Sequence, residues 1–192
     1  MPQKSNECAL ICGSINNKSL QIKDNLVLDK SIDILALAET WLRAKECSDF
    51  VIRDISPTRY AFVHIMPLSL VALAEALAYR KDLNIEQLET NVFKSFEFKE
   101  LLLNFSASII HIVFTCRQPI SAKNGLTYAL FFDDFSTLLE PLVSASGKLL
   151  LAGDLNFHVN NPSESNAYKF LDVLSCFNLN TLNVSIPIHK SI

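Results

Sequence analysis

Three short apolar runs, each stopping at a polar cluster, constrain this chain more than any other feature. Ile32–Leu37 (IDILAL) leads to Glu39. Ser108–Thr115 (SIIHIVFT) leads to Cys116-Arg117-Gln118-Pro119, and Gly147–Gly153 (GKLLLAG) leads to Asp154. Runs this short and this continuous suit strands buried on both faces. The polar residues that end them stand where a rigid sheet can hold a side chain out to solvent. Inner strands are therefore expected over Ile32–Leu37, Ile109–Thr115 and Leu149–Ala152.

Other segments read with different periods. Glu7–Cys12 is a further strand. Ser19–Lys30 reads as a helix. Leu130–Val143 places Phe131, Phe135, Leu138, Leu139 and Leu142 on one helical stripe, with Pro141 in its last turn. Ser165–Cys176 is a second amphipathic helix, with Phe170, Leu171 and Leu174 inward. Phe96–Phe105 and Ile109–Cys116 lie too close in sequence for a crossover, so they are expected as an antiparallel hairpin turning at Asn104-Phe105-Ser106. The mixture argues for an α+β sandwich rather than a doubly wound parallel sheet, as a single domain over residues 1–192.

Ala61–Tyr79 is long and apolar enough to suggest a membrane span, but His64, Pro67 and Glu75 interrupt it. A carboxylate inside a span costs up to roughly 2.5–3.5 kcal/mol on insertion scales. A pair of buried strands is the expected reading, with no membrane. Apolar residues form 49% and charged residues 19% of the chain, which argues against disorder. The net charge of −3 lacks the basic excess usual for proteins that hold duplex DNA by its phosphates. The cysteines Cys8, Cys12, Cys47, Cys116 and Cys176 have no zinc spacing, and the N-terminus has no apolar core of signal-peptide length. Both point to an intracellular protein of cytoplasm or nucleus with unpaired thiols.

Chemistry is sought where the runs end. Glu39 is either a solvated carboxylate at a turn or a functional group, and the string Glu39-Thr40-Trp41-Leu42 after a buried strand favours function. Asp154 and Asn156 either form an Asx-turn or, if the strand continues, share one face two residues apart. A carboxylate beside a carboxamide suits phosphate chemistry: the first orients or deprotonates a water, the second hydrogen-bonds a phosphoryl oxygen. Arg117 is chemically able to bind phosphate, but a strand end running into a Pro turn is the stronger reading. His64 and His111 lie in apolar runs and read as strand residues, not ligands.

Taken in order, these pieces resemble the endonuclease domain of a non-LTR retrotransposon. They are Ser14–Lys18 (SINNK), Asp33–Leu42 (DILALAETWL), Tyr79–Asp82 (YRKD), Ser95–Glu97 (SFE), Arg117–Pro119 (RQP), Phe131–Phe135 (FFDDF), Gly153–Asn156 (GDLN) and Pro187–His189 (PIH). That family belongs to the deoxyribonuclease-I-like endonuclease/exonuclease/phosphatase superfamily. The resemblance implies a four-layer α/β/β/α sandwich and Mg²⁺-dependent hydrolysis of a phosphodiester in DNA. It implies Glu39 as the metal ligand, Asp154 as the group that orients the attacking water, and Asn156 as a phosphate-holding amide. It also implies a fused reverse transcriptase in the parent element.

The departures are specific. Ile11-Cys12-Gly13-Ser14 stands where the family carries Asn in an N-x-R-S pattern, and Cys116 stands where it carries a phosphate-contacting Tyr. Ala72–Glu75 replaces a glycine-rich stretch, and Ile188 replaces a Thr. The family's following L-D strand and its S-D-H motif fall beyond Ile192. A degenerate, C-terminally truncated copy is therefore expected, with the last strands of the sandwich missing and no cleavage. From a different class, the alternative is an interaction module that kept the fold without the chemistry.

Overall fold

The structure is a computed structural model, and it describes residues 8–12, 33–38, 58–65, 75–89, 92–105, 108–117, 120–121, 124–159, 161 and 163–181. The strands in chain order are β1 (Cys8–Cys12), β2 (Ile34–Ala38), β3 (Tyr60–Ile65), β4 (Glu75–Arg80), β5 (Asn84–Gln87), β6 (Glu97–Phe105), β7 (Ser108–Cys116) and β8 (Lys148–Asp154). Helix α1 (Tyr128–Ser144) joins β7 to β8, and α2 (Ser165–Cys176) follows β8. The helix expected over Ser19–Lys30 lies outside the described residues.

The strands form two sheets, ordered β1-β2-β4-β3 and β5-β6-β7-β8. Most neighbours run antiparallel, but β1 with β2 and β7 with β8 are parallel. Segment 61–79 does supply a strand pair: β3 and β4 run antiparallel from Tyr60 opposite Arg80 to Ile65 opposite Glu75. Among the described residues no helix is long and apolar enough to cross a membrane.

Side-chain alternation along the strands sorts the core into two layers. Ile34, Ala36 and Leu77 of the first sheet meet Leu101, Leu103, Ile112 and Phe114 of the second. Val113, between two of these, faces the other way and joins Phe96 and Phe98 beneath the helices. Helix α1 starts at Thr127, whose side chain accepts a hydrogen bond from the Leu130 amide. It buries Phe131, Phe135, Leu138, Leu139 and Leu142 on the expected stripe, plus Phe132. Pro141 lies in its last turn, and the helix ends three residues later at Ser144, where the Ala145 amide caps the Pro141 carbonyl. Helix α2 covers the same sheet with Ala167, Phe170 and Leu174, and Leu171 is partly buried beside them.

Two stacked sheets with helices on the outer face of one give three layers. Leu35, Leu37, Ala76 and Ala78 are buried on the far face of the other sheet, so that face is covered as well. This is the α+β sandwich that the runs imply.

Two expectations need correction. Asn104 and Phe105 belong to β6 rather than to a turn, opposite Ile109 and Ser108, because the hairpin closes tightly and the ladder runs to its end. Among the described residues Leu149–Ala152 is not an inner strand, since β8 is the last strand of its sheet there. Its apolar run has another cause. Leu149 and Leu151 pack under the helices while Leu150 and Ala152 pack between the sheets, so both faces are covered even at a sheet end.

Arg80 ties the first sheet together. Its guanidinium donates to Asp33 at 2.7 Å and also pairs with Asp82, while its amide donates to the Asp33 carbonyl. The segment just before β2 is thereby fixed to the end of β4.

Two outcomes test this packing. Phe135 is fully buried, stacked on Phe131 at 5.2 Å and edge-on to Phe96 at 6.0 Å. Phe135→Ala should destabilise the chain by about 3–5 kcal/mol in urea unfolding. Gly153 has φ 125°, and a Cβ there would overlap the Thr115 carbonyl of β7. Gly153→Ala should cost about 1–3 kcal/mol from backbone strain, with the steric overlap added to it. A neutral result at either position would contradict the packing described.

Candidate active site at the end of β7 and β8

Because β7 and β8 are parallel, their C-terminal ends lie side by side, with Cys116 opposite Asp154. The next residue on β7 extends the pairing one step: the Arg117 amide donates to the Asp154 carbonyl at 2.9 Å. Strand β8 stops there. Its chain then turns sharply at Asn156, which has φ 54°, in the left-handed region where Asn is among the more tolerant residues.

The Asp154–Asn156 pair is therefore not built by strand alternation. The Asn156 amide donates to Asp154 Oδ1 at 2.8 Å, which makes an Asx-turn. The Asn156 side chain points back to β7, where Nδ2 donates to the Arg117 carbonyl at 2.6 Å. The two candidate residues do meet at one place, but through a turn, and one N–H of the Asn156 carboxamide is given to the backbone.

Arg117 follows the structural reading of its strand end and not the phosphate-binding one. It is 2% exposed and points inward. Nε donates to the Leu155 carbonyl at 2.5 Å and Nη2 to the Asn156 carbonyl at 2.8 Å. The guanidinium carbon lies 4.4 Å from the ring centre of Phe157, 5.2 Å from that of Phe131 and 5.4 Å from that of Tyr128. Burial pushes its pKa down; Tyr128, Asp154 and Glu164 act in the other direction. Phe157 is itself stacked on Phe170 of α2 at 4.6 Å. Sequence reasoning missed this arrangement, since two of the rings come from the first turn of α1 and the third from the segment after β8, and none is near Arg117 in sequence. The one available signal was an Arg at the end of an apolar strand in a sequence rich in Phe.

Cys116 is 5% exposed, and neither Cys116 nor Cys176 is in a disulfide. His111 behaves as a strand residue: Nδ1 lies 2.8 Å from Glu100 Oε1 on the neighbouring strand, and Nε2 lies 3.3 Å from the Ser146 carbonyl. Glu39 and Trp41 lie outside the described residues. Their neighbour Ala38 ends β2, which packs against β8. Among the described residues no group of three His, Cys, Asp or Glu could hold a metal ion.

No protein-family model matches the chain, and no curated protein sequence matches it. Solved structures do. The endonuclease domain of TRAS1, a telomere-specific non-LTR retrotransposon, superposes with a TM-score of 0.62 at 12% identity, over 92% of this chain and 72% of that one. An AP endonuclease from Leishmania major gives 0.61 at 13% identity, over 89% of this chain and 66% of that one, so the chain spans just under two thirds of that enzyme. An endonuclease/exonuclease/phosphatase family protein from Leptotrichia buccalis gives 0.55 at 12% identity, over 89% and 72%. With two stacked sheets, a helical cover and the turn at Asp154 already in place, the chain has the fold of the endonuclease/exonuclease/phosphatase superfamily.

Proposed function

We propose that this chain is the endonuclease domain of a non-LTR retrotransposon, of the Mg²⁺-dependent, DNA-cleaving kind, in a copy that kept the fold and no longer cleaves. The observation that carries the family reading is the Gly153–Asn156 turn: it sets a carboxylate and a carboxamide together at the end of β8, on the fold that the TRAS1 domain shares. Asp154 would hold or deprotonate the attacking water. Mg²⁺ takes oxygen ligands, keeps several waters and needs only one or two protein carboxylates. Glu39, the residue directly after β2, is the proposed ligand, with Asp154 and Asn156 close by. The ion would supply charge stabilisation at the phosphate and the leaving oxygen. Such a domain acts on DNA inside the cell and is joined to a reverse transcriptase in its parent element.

The loss of cleavage rests on the side chains beside Asp154. Hydrolysis of a phosphodiester needs donors aimed at the charge that develops on the phosphate. Cys116 stands at the Tyr position and is buried. The Arg117 guanidinium faces the core, and Asn156 Nδ2 is bonded to the Arg117 carbonyl. Losing one such donor costs on the order of 10²–10³ in rate. The net charge of −3 adds no general attraction for DNA.

Purified chain should therefore leave supercoiled plasmid intact in Mg²⁺, at the level of a no-protein control. Asp154→Ala and Asn156→Ala should behave the same. Mg²⁺-dependent nicking by the wild type that disappears in both variants would show a working nuclease and overturn the proposal of lost activity.

A further inference from the structure

We propose that Arg117 is the positioning residue of this end of the sandwich: its guanidinium fork sets the conformation of the Asp154–Asn156 turn. The proposal rests on the reading of Asp154 and Asn156 as the site.

The argument starts from the end of the ladder. Past Asp154, β8 has no strand pairing, so the carbonyls of Leu155 and Asn156 need other donors. One side chain supplies both, through Nε and Nη2 of Arg117. Two bonds at the Arg117 backbone run alongside, its amide to the Asp154 carbonyl and the Asn156 side-chain Nδ2 to its carbonyl. The turn is thus held to β7 by four hydrogen bonds that all involve residue 117. Asn156 sits in a left-handed conformation that few non-glycine residues adopt, so outside restraint matters here. The aromatic cover adds to it, because Phe157, the ring nearest the guanidinium, belongs to the same segment.

A residue that merely filled this space would be apolar, since a buried cation is costly unless its donors are met. Arg117 meets part of that cost with two carbonyls and three rings, while Nη1 is buried with no hydrogen-bond partner among the described residues. Its planar fork also fixes direction, which the single ammonium of Lys does not. The same side chain is thereby withheld from phosphate: Arg117 acts on the site through Asp154 and Asn156 and not through a ligand.

The test is amide hydrogen exchange by NMR on the full chain, in wild type, Arg117→Lys and Arg117→Met. In the folded variants the Asn156 amide, which is bonded to Asp154 Oδ1, should lose protection by about tenfold or more. The Val113 and Phe135 amides should keep theirs. Unchanged protection at Asn156, or an equal loss at all three amides, would overturn the proposal. If neither variant folds, the wild type decides: the Arg117 Nε–H should exchange about tenfold or more slowly than that of the exposed Arg59, because it is buried and bonded. Equal rates would overturn it. Mn²⁺ added alone, as a probe, separates this from the metal reading. If Mn²⁺ leaves the Asp154 and Asn156 signals sharp, the metal site fails while the exchange data still decide the role of Arg117.

Discussion

The parallel pairing of β7 with β8 organises this half of the molecule. Parallel neighbours cannot be joined by a tight turn; they need a crossover, and here it is α1. That one requirement lays the phenylalanine stripe of α1 across the sheet, where Phe131 and Phe135 pack on Phe96. It also brings the two C-terminal strand ends together, so Arg117 and Asp154 become neighbours although they are 37 residues apart in sequence. An antiparallel β8 would carry Asp154 to the opposite end of the sheet and leave no site.

From this follows a division of labour along β7 and β8. Residues before the strand ends alternate between the inter-sheet core and the helical cover, and they fix the position of the sheet. Residues after them have no ladder, and side chains take over: Asp154 bonds the Asn156 amide, Asn156 bonds the Arg117 carbonyl, and Arg117 bonds the turn. Gly153 is the joint between the two regimes. Its φ of 125° and its closeness to the Thr115 carbonyl fit no larger residue. The polar cluster at the end of the run is in this sense a consequence of where pairing stops.

Much of the fold could be read from residue patterns, and the reasons are local. The α1 stripe, the α2 face and the β6–β7 hairpin each follow from spacing within one segment. The strand pair in 61–79 was legible because Pro67 and Glu75 argued against one long apolar element. Sheet order was not legible, since β4 inserts between β2 and β3 and no local pattern encodes that. The place of β8 at the end of its sheet among the described residues was hidden for a related reason: burial on both faces gives the same apolar run at a sheet end as at the centre. At the site, Asp154 and Asn156 were legible as a pair, but the turn that joins them was only one of two readings. Arg117 read as structural at a strand end, but its ring cover was not legible because Tyr128 and Phe131 come from α1 and Phe157 from the segment after β8.

The proposal on which the functional reading turns is that Glu39 still binds Mg²⁺, with Asp154 close by, in a copy that no longer cleaves. Trp41 is the only tryptophan in the chain and follows Glu39 by two residues, which makes its fluorescence a direct reporter. Titration with Mg²⁺ should change that fluorescence saturably in the millimolar range, with the response abolished in Glu39→Gln and weakened in Asp154→Ala. A wild type silent to Mg²⁺, or a response unaltered in Glu39→Gln, would contradict the account.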